Sequence, residues 1–356
     1  MKLKRLVGFI IALALIASFT ACTKSNESAD KESEVTSTET PSVTPSQSNN
    51  ASNEYPITIK HAFGETVIEK KPQRIATIGW GNHDVPLALG VIPVGVSRAN
   101  YGVSGDEKLL PWTLEKFKGL GVDNPVVFDD IDGLNFEAIS DVQPDVILAA
   151  YSGITQEDYD ILSQIAPTVA FPREAWDIGW KEQIIMNATG MGMKAEGEAL
   201  VADLENLISQ KLSAYPNIKG KTAAFLYVYP ADFSTFYIYL LKDPRAAFLT
   251  DLGLKLPESV EKLAGGQYSF AIEVSGEKAD LLSDLDIIIA YGDETVLKNM
   301  QADPLMGTIP AVKRGSVVML KDNSPLAASV NPSALSIPYT IDEYLELIAE
   351  AADKVK

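Results

Sequence analysis

Trp80, Tyr151, Arg173 and Trp176 in the first half of the chain, and Tyr229, Tyr237, Arg245 and Tyr268 in the second, are the side chains best placed to do chemistry. Most stand beside β-like runs. Trp80 follows Ile78, Tyr151 and Ser152 follow Ala150, and Arg173 and Trp176 follow Phe171. Tyr229 follows Val228, Tyr291 follows Ala290, and Arg245 opens a helix-like run at Ala246. Open α/β sheets bind ligands beyond the carboxyl ends of their strands. An arginine offers a planar fork of donors to oxygen acceptors. Aromatic rings add flat contact area at little conformational cost. Any one of these rings could pack in a core, and either arginine could be a solvated surface charge. Their recurrence at equivalent positions in both halves favours a ligand site of oxygen-binding donors and flat walls.

Other chemistries find little support. His61 and His83 are the only histidines, and Cys22 is the only cysteine. A zinc or manganese site usually gathers several histidines with carboxylates, so His83 reads as a polar loop residue and no metal site is expected. A haem would need an axial His or Tyr, and Tyr151 or Tyr229 could serve. There is no Gly-x-Ser-x-Gly, no phosphate loop ending in Gly-Lys-Ser/Thr and no His-Glu-x-x-His. Thr189-Gly-Met-Gly192 lacks a third glycine and a preceding strand. Paired carboxylates for glycoside hydrolysis remain open, because acidic residues are plentiful. The formal net charge is −18, which argues against nucleic acid and against charge-driven binding to anionic lipid.

The elements that position these residues begin well inside the chain. Met1 to Arg5 is basic, Leu6 to Phe19 is apolar, and Thr20-Ala21 precede Cys22. That is the plan of a secretory signal, residues 1–21, too short for an ordinary span. A cysteine directly after the small residues resembles a bacterial lipobox, which implies diacylglycerol on the Cys22 sulfur. A single acyl chain anchors only marginally, so stable attachment needs more than one. Loss of the signal leaves 27 basic against 48 acidic side chains and, with Cys22 acylated, no disulfide. Residues 22–54 read as the lipidated cysteine and a disordered tether rich in Ser, Thr, Glu and Pro. Such a tether reaches about 30 Å, which suits a single-membrane, Gram-positive type of cell with a thick wall. No later apolar run is long enough to span a bilayer.

From Tyr55 onward, short β-rich runs alternate with helical patterns, which predicts α/β architecture in two lobes. The expected division is 55–175 for an N-terminal lobe, 176–215 for a helical linker and 216–356 for a C-terminal lobe ending in a helix from Ile341 to Val355. Within the linker, Leu200, Leu204, Leu207, Ile208 and Leu212 follow a helical period from Lys194. The lobes echo each other: Phe136 to Leu148 and Val274 to Ile289 each place a glutamate, a short helix, an aspartate and a β-branched strand in order.

Four segments then make the pattern specific: Thr77-Ile-Gly-Trp-Gly-Asn-His-Asp84, Pro144-Asp-Val-Ile-Leu-Ala-Ala-Tyr-Ser-Gly153, Asp243-Pro-Arg-Ala-Ala-Phe-Leu249 and Lys313-Arg-Gly-Ser-Val-Val318. In order and spacing they resemble the iron–siderophore substrate-binding lipoproteins of ABC importers, in the branch whose two Rossmann-like lobes are joined by one long rigid helix. The resemblance implies a monomeric, non-enzymatic protein on the extracellular face of the cell membrane, with no cofactor of its own. It implies a ferric siderophore in the cleft, held by the aromatic and arginine residues above, with haem, cobalamin or a bare metal ion as alternatives. It further implies that Glu137 and Glu277 pair with arginines of the permease, although an acidic residue in a first helical turn is also stabilising by itself. Small lobe motion is expected, since one long helix resists hinge bending.

Overall fold

Strict alternation along the central strands builds the molecule. In the Val146–Leu148 strand, Val146 and Leu148 pack to one side while Ile147 packs to the other. In the Ile287–Tyr291 strand, Ile287 and Ile289 face one core, and Ile288 and Ala290 face another. Strands buried on both faces need helices on both faces, so each sheet becomes the middle layer of a lobe. The computed structural model describes residues 55–355. Cys22, the expected signal and the expected tether lie outside the described residues.

The described chain opens with an antiparallel hairpin of β1 (Ile57–His61) and β2 (Gly64–Ile68). The first lobe then runs β3 (Ile75–Thr77), α1 (Asp84–Ala88), β4 (Gly95–Ser97), α2 (Pro111–Gly119), β5 (Val127–Phe128), α3 (Phe136–Asp141), β6 (Val146–Leu148), α4 (Gln156–Ile165) and β7 (Thr168–Val169). Its sheet is entirely parallel, in the order β5-β4-β3-β6-β7. Two helices follow, α5 (Trp180–Gly190) and α6 (Lys194–Leu212). At 1.5 Å per residue α6 is about 28 Å long. The two helices approach so closely that a Cβ on Gly197 would lie 2.4 Å from that of Ala188.

The second lobe runs β8 (Ala223–Tyr229), β9 (Asp232–Tyr239), α7 (Pro244–Asp251), α8 (Glu258–Ala264), β10 (Ala271–Ser275), a 3-10 turn at Gly276–Leu281, β11 (Ile287–Tyr291), α9 (Glu294–Ala302), α10 (Pro310–Arg314) and β12 (Val317–Leu320). Its order is β10-β9-β8-β11-β12. Here β9 is antiparallel to both neighbours. That reversal puts Phe225, Tyr227 and Tyr229 of β8 beside Tyr237 and Tyr239 of β9 on one face. The short helix expected within Val274 to Ile289 is this 3-10 turn, which follows a strand, β10, that sequence periodicity did not single out.

The chain ends with α11 (Pro325–Ser329) and α12 (Ser336–Asp353). The terminal helix starts five residues before the expected Ile341, because Ser333 and Ser336 exchange backbone-to-hydroxyl hydrogen bonds of 2.8 and 3.0 Å. Pro338 is then tolerated, since it falls in the first turn.

Besides α6, this closing segment ties the second lobe back to the first. Tyr101 Oη donates to Asp322 (2.7 Å), Gly102 N to Asn323 Oδ1 (2.7 Å) and Asn331 Nδ2 to Tyr151 Oη (3.0 Å). Asp84, almost fully buried, accepts from Trp112 Nε1 (3.1 Å), Thr113 Oγ1 (2.9 Å) and Ser333 Oγ. One continuous core also joins Val85 and Ile184 of the first lobe region to Phe225, Phe248 and Ile341. Asp84→Ala would strand three buried donors, so it should destabilise the fold by roughly 2–4 kcal/mol. An unfolding free energy from chemical denaturation that falls by less than a quarter of that would show the network to be dispensable.

Candidate functional site

Asn82 organises the first wall of the cleft. Its side chain donates to the carbonyls of Ile78 (2.7 Å) and Tyr151 (3.0 Å). Its Oδ1 accepts from Tyr151 N (3.1 Å), Gln183 Nε2 (3.1 Å) and Asn187 Nδ2 (2.9 Å). One buried amide therefore clamps the loop after β3, the loop after β6 and helix α5. The two loops touch at Gly79, whose φ of +80° and 2.6 Å Cβ approach to the Tyr151 carbonyl leave room for glycine alone. This clamp sets Trp80 and Tyr151 side by side.

Trp176 completes that wall. It has a φ of +65°, uncommon for a bulky residue and costing on the order of 1–3 kcal/mol. Its backbone N–H donates to Ser152 O at 3.2 Å. Its ring meets Tyr151 edge-on, with centroids 5.0 Å apart. It also lies on Gly153, where a Cβ would come within 2.7 Å of the indole nitrogen. Trp80, Tyr151, Trp176, Arg98, Asp130 and Asn331 line a cavity of about 430 Å³. Burial raises the pKa of the Asp130 carboxyl against the opposing pull of its Ser97 hydrogen bond.

A second cavity, about 340 Å³, shares Trp80 and Asn331 with the first and adds Tyr101, Tyr227, Tyr239, Arg245 and Tyr291. Arg245 Nε and Nη2 donate to the two oxygens of Asp243 at 2.8 and 2.6 Å. Its guanidinium carbon lies 4.0 Å above the Tyr239 ring. Nη1 reaches Tyr291 Oη at 3.4 Å. Burial opposes the arginine's charge, and the Asp243 carboxylate more than offsets it, so the pKa moves upward. The two cavities form one cleft between the lobes, walled by tyrosine and tryptophan.

Of the eight residues expected to bind ligand, the structure brings Trp80, Tyr151, Trp176 and Arg245 to this cleft. Arg173 lines neither cavity. It is held by Glu182 (3.1 and 2.8 Å) and by the carbonyl of Asp177 (3.0 Å). Tyr268, 69% exposed, donates instead to Asp177 (3.1 Å). Nearby, Lys242 pairs with Glu174 and lies 4.7 Å over the Tyr268 ring. These contacts fasten the loop that carries Trp176 to the second lobe. Arg173 itself bonds Asp177 and Glu182 within its own part of the chain and lines neither cavity, so Arg173→Ala should change ligand affinity by less than about threefold, as expected of a surface ion pair. Tyr229 and Tyr237 stand on the aromatic sheet face beyond the cavity, and Tyr237 Oη donates to Glu273 at 2.9 Å.

Several lining residues escaped sequence reasoning. Tyr239 and Tyr227 lie within strands, but aromatics at two-residue spacing through 225, 227, 229, 237 and 239 would have marked the face. Tyr101 lies shortly past β4, within reach of the strand-end rule. Asn331 arrives from the closing segment without local signal.

Metal and haem chemistry has few donors here. Neither His61 nor His83 lines the cleft cavities. His61 is engaged by Thr66 at 2.9 Å, and burial lowers the pKa of His83. Burial pushes the Tyr151 phenol up to about 12, which makes it a poor tyrosinate. Among the described residues, no group of three or more His, Cys, Asp or Glu side chains is placed to hold a metal ion, and no helix is long and apolar enough to cross a membrane.

Glu137 and Glu277 occupy matching places. Each is exposed in the first turn of a short helix, after the Asn135 cap in α3 and the Ser275 cap of the 3-10 turn. Those helices lead into β6 and β11, each the fourth strand in its sheet order. Among the described residues neither carboxylate is in an ion pair with a Lys, Arg or His.

A family model described as periplasmic binding protein matches residues 75–324. The crystal structure of PiaA from Streptococcus pneumoniae TIGR4 in complex with ferrichrome superposes with a TM-score of 0.80 at 52% identity, covering 84% of this chain and 100% of that one. The ferric-anguibactin-binding protein FatB of Vibrio anguillarum is 25% identical over 311 residues, 82% of this chain and 88% of its own. The Fe(3+) dicitrate-binding periplasmic protein FecB of Escherichia coli is 25% identical over 285 residues, 75% and 86% respectively.

Proposed function

Because this chain belongs to the periplasmic binding protein family, we propose that it captures a ferric siderophore of the uncharged hydroxamate type, as ferrichrome is, and delivers it to the permease of an ABC importer. It is a binding protein and not an enzyme. The observation that carries the ligand class is the charge inventory of the cleft. Its two arginines are both already paired, Arg98 with Asp129 at 3.1 Å and Arg245 with Asp243. Asp130, Asp158 and Asp322 line the same space. An anionic citrate or catecholate chelate would meet more negative than positive groups and no unpaired cation. A neutral chelate needs only flat walls and a few donors, which Trp80, Trp176, Tyr151, Tyr239 and Arg245 supply. The likeness to the ferrichrome-bound PiaA supports the same class.

Titration followed by tryptophan fluorescence tests this reading. Ferrichrome should quench saturably, because ferric hydroxamates absorb in the near ultraviolet and visible and two tryptophans line the cleft. Ferric dicitrate should bind far more weakly. Silence toward ferrichrome together with tight binding of haem, cobalamin or Zn²⁺ would sink the proposal.

We further propose that the protein works as a monomer on the outer face of the cell membrane, held by a lipid on Cys22. The basic, apolar and small-residue segments before that cysteine support this placement. Cys22→Ser should move the protein from the membrane fraction to the medium or leave it unprocessed. A processed, membrane-bound Cys22→Ser protein on an immunoblot would count against the anchor.

A further inference from the structure

We propose that Asp243 sets the charge selectivity of the cleft: by closing a two-point pair with Arg245, it lets an arginine donate to the ligand while keeping that wall electrically neutral, and the assignment rests on the uncharged-chelate reading above. Asp243 is 4% exposed. Both of its oxygens are committed to the guanidinium, at 2.8 and 2.6 Å. Oδ1 also accepts from Arg245 N at 2.9 Å, as the cap of α7 with Pro244 in its first position. The carboxylate is thus held by the cap on one side and the guanidinium on the other.

The consequence falls on the arginine. Two of its three nitrogens face Asp243, and its plane rests on Tyr239 at 4.0 Å. Nη1 keeps N–H groups that Asp243 does not engage, with Tyr291 Oη as a distant partner at 3.4 Å. A ligand oxygen can take that donor. A lone buried cation would draw any anion strongly, because a charge in a low-dielectric site is poorly screened. A charge paired at hydrogen-bond distance acts instead as a short dipole, whose field fades faster. The pair thus offers direction without net attraction for polyanions, which is selectivity by withheld charge.

The test uses purified protein with ferrichrome as the neutral probe and ferric dicitrate as the anionic one. Asp243→Asn keeps a good helix cap and frees the arginine's charge. It should raise affinity for ferric dicitrate relative to ferrichrome by roughly tenfold or more, and the gain should shrink in high salt. Arg245→Gln, which leaves the carboxylate alone, should move the ratio the other way. The double variant Asp243→Asn/Arg245→Gln should return it close to wild type. An unchanged ratio in both single variants, or an equal rise in the double variant, overturns the assignment while leaving the ferrichrome reading intact. Wild-type protein that binds neither chelate, or prefers ferric dicitrate, overturns both.

Discussion

A protein carrying both Glu137→Arg and Glu277→Arg should still bind ferrichrome normally and deliver none of it. Each glutamate is exposed at the start of a short helix, with no cationic partner among the described residues. Each helix begins on the side of its sheet where the preceding parallel strand ends, β5 in one lobe and β10 in the other. Against the permease arginines that the family resemblance implies, reversing both charges would set like charge against like at two points, a cost of several kcal/mol across an interface. Exposed substitutions of this kind typically change fold stability by no more than about 0.5 kcal/mol, so lost uptake would report docking and not unfolding. Cellular iron uptake supplied by ferrichrome, measured beside binding by the purified protein, separates the two. Normal uptake by the double variant would reduce both residues to helix-start carboxylates that favour the local dipole.

Trp176→Ala should produce the largest loss of ligand affinity of any single cleft substitution. The ring is set by three contacts: the edge of Tyr151 at 5.0 Å, the bare backbone of Gly153 beneath it and the hydrogen bond from its own N–H to Ser152 O. Truncation of a tryptophan that anchors a binding surface commonly costs 2 kcal/mol or more, which is about a thirtyfold rise in Kd or greater. Trp176→Phe should recover part of that, because an aromatic face remains. Gly153→Val should repeat much of the loss without touching the tryptophan itself, since a Cβ at residue 153 would come within 2.7 Å of the indole nitrogen. A ferrichrome Kd within threefold of wild type for Trp176→Ala would remove Trp176 from the site and leave Trp80 and the tyrosines to bear the binding.

Periodicity and strand-end position were enough to read the α/β architecture, the two-lobed plan and the placement of Trp80 and Tyr151. Both signals are local: alternation along Val146–Leu148 needs only neighbouring residues, and a side chain just past a buried strand has only the sheet's rim to occupy. The echo between Phe136–Leu148 and Val274–Ile289 was legible for the same reason, and both segments lead into the fourth strand of their sheets. Tertiary structure decided which partner each polar side chain meets, near it in the chain or far along it. Arg173 and Arg245 look alike in sequence, each near the end of a β-like run. Arg173 is drawn aside by Glu182, nine residues on, whereas Arg245 is turned by Asp243 toward the cleft. Asn331 and Ser333 reach Tyr151 and Asp84 across 180 and 249 residues. Side-chain direction at those places is set by which carboxylate, amide or ring arrives opposite, and that is a property of the assembled lobes.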